Sequence, residues 1–198
     1  MTTVAPGTRS PGRPRSARAD QAIIEAVLGL LAEGTLETVT IEAVAARARV
    51  GKATIYRRWP GKEALVIDAL RSLKGPPPVP AGRSVREDLV ALLRYGRREQ
   101  DERIARVMSS LVPEVRRSSE HRRIHQSLVE PHREAMRQVL RRGVESGELR
   151  ADLDIEVAVT LLNGPRLLQK MLRWHPGLDD DTLPERVVDT VLAGLRAR

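Results

Sequence analysis

The chain contains no cysteine and no phenylalanine, and two tryptophans and two tyrosines, 2% of 198 residues, are all its other large rings. Without cysteine it is neither disulfide-stapled nor a thiolate-ligated metal protein. With so few rings it is poorly equipped to stack on a flat cation or dye, so a ligand is expected to meet aliphatic surface. No apolar run approaches the roughly 18 residues of a membrane span, and the first residues do not resemble a signal peptide. A soluble cytoplasmic protein that does not engage a membrane is expected. A Gly-x-Ser-x-Gly elbow, a Gly-rich phosphate loop and a glycine fingerprint after a strand are all lacking. The expectation is a protein that is not an enzyme, with no cofactor and no metal.

What the chain does have is positive charge and helical periodicity. Its formal net charge is +8 with a pI near 10.8, which favours a polyanionic partner. The excess is denser at the amino end: residues 1–74 hold 12 Lys+Arg against 7 Asp+Glu, and residues 75–198 hold 22 against 19. The first eighteen residues are rich in Pro, Gly, Ser, Thr and Arg without an apolar face, which predicts a disordered basic arm over 1–19. Arg9, Arg13, Arg15 and Arg18 would lie along phosphates or in a minor groove, and the alternative is a plain solvated tail.

A helix is predicted from about Asp20 to Glu33, with Ile23, Val27, Leu30 and Leu31 on one stripe and Gly34 in the place of a C-cap. Thr40 then reads as an N-cap, with Glu42 in the first turn and Val39 and Val44 at staple positions, opening a helix over 41–48. Arg49-Val50-Gly51 interrupts the pattern, a helix of about seven residues follows from Lys52, and Pro60-Gly61 stops it before Lys62 opens another. Two short helices joined by about three residues form the helix-turn-helix arrangement, whose second helix can enter the major groove.

Thr40, then AVAARARVGKATIYRRWPGKEAL with Tyr56, an aromatic at 59, Pro60, Lys62 and Leu65, resembles the tetracycline-repressor (TetR) family of bacterial transcription regulators. GELRADLD at 147–154 and NGPRLL at 163–168 resemble one subgroup of that family's C-terminal domain. Arg49 stands where many members have glycine, and Gly51 and Gly61 stand where serine often caps the following helix. The resemblance implies an all-α protein, with a three-helix helix-turn-helix domain over 20–74 and a larger helical-bundle domain for ligand binding and dimerisation over 75–198. It implies that Lys52, Ala53 and Thr54 face base edges, where a hydroxyl can hydrogen-bond and a methyl can touch thymine. Tyr56, Arg57, Lys62 and the Thr40 hydroxyl would grip phosphates, with Arg13 and Arg15 of the arm beside them. Trp59 reads as a core aromatic, and Arg58 stands next to Arg57 as a further candidate for the backbone.

Beyond Leu73, GPPPVPAG predicts a stiff extended spacer, with the domain boundary near Gly75. Helices are predicted from Ser84 to about Glu99, from about Asp101 to Arg116 with Pro113 bending or ending it, and from about Glu120 to Ser146 with Pro131 kinking or dividing it. His121, His125 and His132 share a stripe of the last of these with Leu128, Met136 and Val139. They read as a metal site, as pocket lining, or as interface or surface histidines. The pocket candidates are Met108, Leu111, Leu128, His132, Met136 and Leu168. The segment 155–174 is apolar on more than one side, which predicts burial on several faces, and Gly164-Pro165 should kink it. Asp179, Asp180 and Asp181 precede a last helix over 182–196, where the helix dipole accounts for them. Leu161, Leu168, Leu172, Val187, Val191 and Leu195 are the expected dimer surface, by analogy with the family.

The expectation is a DNA-binding regulator, a repressor held as a homodimer on a pseudo-palindromic double-stranded operator and released by a small-molecule effector. Two other readings stay open: a basic helical protein that binds nucleic acid without sequence preference, and a ligand-binding or enzymatic bundle with a vestigial helix-turn-helix.

Overall fold

The computed structural model describes residues 14–97, 107, 111–172, 175–178 and 181–195. Arg9, Arg13, Met108, Asp179 and Asp180 lie outside the described residues, as do the side chains of Arg15 and Leu172 and most of the segment expected to be helical over 101–116. Every regular element among the described residues is helical, and the chain divides into two compact units between Ala69 and Leu70.

In the first unit α1 runs Pro14–Glu33, α2 Ile41–Ala48 and α3 Lys52–Tyr56, and α4, Lys62–Lys74, begins there. Helix α1 starts six residues earlier than the sequence predicts, so the part of the expected disordered arm nearest the domain is helical. Proline at a first helical position has its φ already set and lacks only an N–H that would go unpaired, and no breaker follows it. Helix α3 is five residues long rather than seven. Ile23, Val27, Val39, Val44, Ile55, Leu65 and Val66 are completely buried and form the centre of this unit. Removing such aliphatic side chains from water is worth roughly 1.5–3 kcal/mol each before chain entropy is charged against it.

The turn before α3 depends on Arg49, which adopts the left-handed conformation (φ 54°, ψ 44°) that its place at the end of α2 requires. The reward is a closed helix end: Val50 N–H donates to Ala45 O (3.0 Å) and Arg49 N–H to Ala46 O (3.2 Å). At the other end of α2 the Thr40 hydroxyl accepts from Ala43 N–H at 3.1 Å.

In the second unit α5 is Val85–Arg97, α6 Ser119–Glu145, α7 Ile155–Leu172 and α8 Leu183–Leu195. Helix α5 packs on α6 and α8, and α7 packs on the same two, so the four close a ring around one core. Leu89, Leu92, Met136, Val139, Leu140, Val159, Leu162 and Val188 fill it. Helices α5 and α6 approach closely at Gly143, where a Cβ would stand 2.7 Å from Val85 Cγ2 and 2.8 Å from Leu149 Cδ1. The buried Asp88 carboxylate fixes the loop before α5 by accepting from Ala81 N–H (2.9 Å), Gly82 N–H (3.0 Å) and the Arg142 guanidinium.

Pro131 and Pro165 each sit inside one continuous helix, so the expected division of the 120–146 segment does not occur. Within one subunit α7 is buried on one side. Ala158, Val159 and Leu162 are buried, whereas Val157, Leu161, Leu167 and Leu168 are about half exposed, because the four-helix ring covers only one side of α7.

Candidate nucleic-acid interface

Helix α3 is anchored by one side chain and presents the rest. Ile55 is completely buried and Trp59 nearly so, its indole N–H donating to Asp68 Oδ2 at 3.0 Å. Lys52, Ala53, Tyr56 and Arg57 are exposed around that anchor, and Thr54 is half-buried. Tyr56 shows 54% of its surface, a large value for an aromatic ring in a chain that has only four. Lys52 and Tyr56 stand one turn apart and share a side of the helix. Thr40 is exposed at the start of α2, and Lys62 opens α4, whose first-turn N–H groups and dipole favour an anion.

Charge around these residues is ordered by ion pairs that bridge elements. Arg47 lies bidentate on Glu33 (2.5 and 2.6 Å), reaching past Gly29, where no Cβ obstructs the guanidinium. Arg58 pairs with Asp20 of α1, and its direct neighbour Arg57 is exposed beside Tyr56. Lys52 Nζ meets Glu42 Oε1 at 2.5 Å. That hydrogen bond holds the Glu42 carboxyl below the usual glutamate range and raises the Lys52 ammonium, so both are charged at neutral pH. The sequence alone marks Glu42 only as a carboxylate favoured by a helix dipole. Its ten-residue separation from Lys52 gives no signal, since the two meet only once the turn is closed.

Two family models account for most of the chain. One described as "Bacterial regulatory proteins, tetR family" matches residues 23–69, and one described as "Tetracyclin repressor-like, C-terminal domain" matches residues 79–197. The chain belongs to the TetR family. It is a helix-turn-helix transcriptional regulator, as are its relatives. Uncharacterized HTH-type transcriptional regulator YdeS of Bacillus subtilis is 33% identical over 159 residues, covering 78% of this chain and 79% of YdeS. Uncharacterized HTH-type transcriptional regulator Rv1556 of Mycobacterium tuberculosis is 31% identical over 195 residues, covering 96% and 92%. Among solved structures, TetR family regulator SCO0332 superposes with a TM-score of 0.65 at 26% identity, covering 91% of this chain and all of that one. FadR from Bacillus subtilis, determined in complex with stearoyl-CoA, shares the fold at a TM-score of 0.65 and 20% identity, covering 88% and 98%.

The C-terminal candidates separate into three sets. Leu111, Leu128, His132 and Met136 are buried, His132 with its ring stacked on Tyr95 at 6.1 Å and Met136 with its sulfur accepting from Asn163 Nδ2 at 3.1 Å. Leu168 does not join them: it is 47% exposed on the same side of α7 as Leu161. Val187 and Leu195 are buried in this subunit's own core, with Val191 partly buried against it. Of the histidine stripe, His121 and His132 are buried and His125 is half-buried. Among the described residues no group of three His, Cys, Asp or Glu side chains is assembled that could hold a metal ion, and no helix is long and apolar enough to cross a membrane.

Proposed function

We propose that this TetR-family regulator is a repressor that binds a pseudo-palindromic operator as a homodimer and leaves it when a small molecule occupies the C-terminal unit. The observation that carries the DNA-binding part is the pairing of one buried anchor, Ile55, with an exposed Lys52, Ala53, Tyr56 and Arg57 on and beside the same short helix. In this assignment Lys52, Ala53 and Thr54 read bases, and Thr40, Tyr56, Arg57 and Lys62 hold the backbone, with Arg13 and Arg15 extending the footprint. Selection of bound duplexes from a random pool tests it. A palindromic consensus with half-sites about one helical turn or a multiple apart is expected, and a featureless pool overturns it.

The dimer surface in this reading is the half-exposed stripe Val157, Leu161, Leu167 and Leu168 on α7. Apolar residues at helical spacing left uncovered by their own subunit are what an isologous helix-pair interface buries. For the effector, the buried Leu128 and Met136, one turn to either side of His132 on α6, favour a ligand with aliphatic surface and one polar group, and Leu111 is a further buried candidate. Such a ligand releases DNA only if it binds the released form more tightly than the bound form.

A further inference from the structure

Glu42 is an acidic side chain beside the residues assigned to DNA. It sits in the first turn of α2, two residues after Thr40, and its carboxylate reaches the first residue of α3. The side chains of Glu42 and Lys52 are 65% and 53% exposed, so solvent and a duplex can both reach the pair. An ion pair this exposed is weak enough for DNA to exchange it. The other two cross-element pairs described above, Arg47 with Glu33 and Arg58 with Asp20, are made to α1 and not within the helix-turn-helix.

An acid beside a phosphate-binding face costs affinity for every sequence equally, unless it acts through a neighbour that reads sequence. Lys52 is such a neighbour. While Glu42 holds it, its charge is cancelled and a run of phosphates gains little from it. A base edge with two acceptors in line, as guanine presents in the major groove, is a better partner than an exposed carboxylate.

We propose that Glu42 is a specificity-determining residue, which withholds Lys52 from the DNA backbone and yields it to a base-edge acceptor of the operator. The proposal rests on the reading that α3 enters the major groove. Its test uses the full chain and four forms: wild type, Glu42→Gln, Lys52→Gln and the double variant. Affinity for the selected operator and for a scrambled duplex of equal length is measured across salt concentrations, with thermal unfolding to verify that all four fold.

In Glu42→Gln, Lys52 becomes available to phosphates. One more neutralised phosphate steepens the salt slope on scrambled duplex by about 0.9, which is about eightfold tighter binding at 0.1 M salt. Operator affinity changes less than about threefold, so discrimination falls, and in the Lys52→Gln background Glu42→Gln has no such effect on scrambled duplex. If Glu42→Gln tightens both duplexes equally, or acts as strongly without Lys52, simple repulsion of phosphates explains it and the proposal is overturned. If Lys52→Gln leaves both duplexes unchanged, the underlying placement of α3 fails instead.

Discussion

Arg71 donates a 3.0 Å hydrogen bond to the main-chain carbonyl of Ser127, the acceptor that Pro131 leaves open four residues later in α6. Proline has no N–H to return to that carbonyl, and in a helix interior it costs about 3 kcal/mol or more. A guanidinium from the last turn of α4 supplies the missing donor, and α6 runs unbroken from Ser119 to Glu145. The end of α4 is held a second time, by the Tyr95 hydroxyl donating to Gly75 O at 2.6 Å.

Arg71→Ala should therefore destabilise the protein by about 1–3 kcal/mol, the range for removing a charge-assisted bond. Pro131→Ala in that background should recover much of the loss, because the new N–H reaches Ser127 O. Urea unfolding of the two single variants and the double variant measures this, and additive effects would refute it.

Tyr56→Phe combined with Lys62→Ala should weaken binding to operator and scrambled duplex alike and lower the salt slope by about one for each phosphate no longer neutralised. Fluorescence anisotropy at several salt concentrations reads both quantities. A weakening confined to the operator would show that these residues read sequence.

Leu161→Glu and Leu195→Ala should part company. The first places a charge on the half-exposed side of α7 and should leave a folded monomer by sedimentation. The second removes packing from the core of its own subunit and should lower stability by about 2–5 kcal/mol without a specific effect on association.

Arg49→Gly should raise stability by about 1 kcal/mol, since glycine adopts the left-handed conformation without the side-chain penalty. The thermal midpoint reports it, and an unchanged midpoint would mean that the gain is cancelled by the freer glycine in the unfolded chain.

Acid should loosen α6 from α7. Arg137 bonds Glu156 (2.5 Å), Glu130 (2.6 Å) and Glu134 (3.2 Å), and these bonds hold the Glu156 and Glu134 carboxyls below the ordinary value of 4.5. Depressed carboxylates add stability above that value and lose it as the pH falls through their folded-state values. Arg137→Gln should lower stability at neutral pH and flatten its decline below about pH 4.5, as urea midpoints against pH will show.

The amino-terminal unit was legible because its signals are local. Thr40, Val39 and Val44, the break at Arg49–Gly51 and the stop at Pro60-Gly61 each act within a few residues, and the helices lie where those residues put them. The proline of α6 shows the opposite case. Read alone, Pro131 allows a kink or a division into two helices, and a donor 56 residues away in sequence explains why α6 continues across it.

The sequence by itself determined the family, the all-helical class and the turn that presents Lys52 to Arg57, since periodicity, caps and breakers are written in neighbouring residues. Only the tertiary structure decided which apolar residues remain uncovered and which cations are already taken. Helical periodicity marks Leu161 and Leu195 alike, but the packing of four helices leaves the first half in water and buries the second. The pairing of Glu42 with Lys52 depends on the angle at which α2 meets α3, a quantity no single stretch of sequence contains.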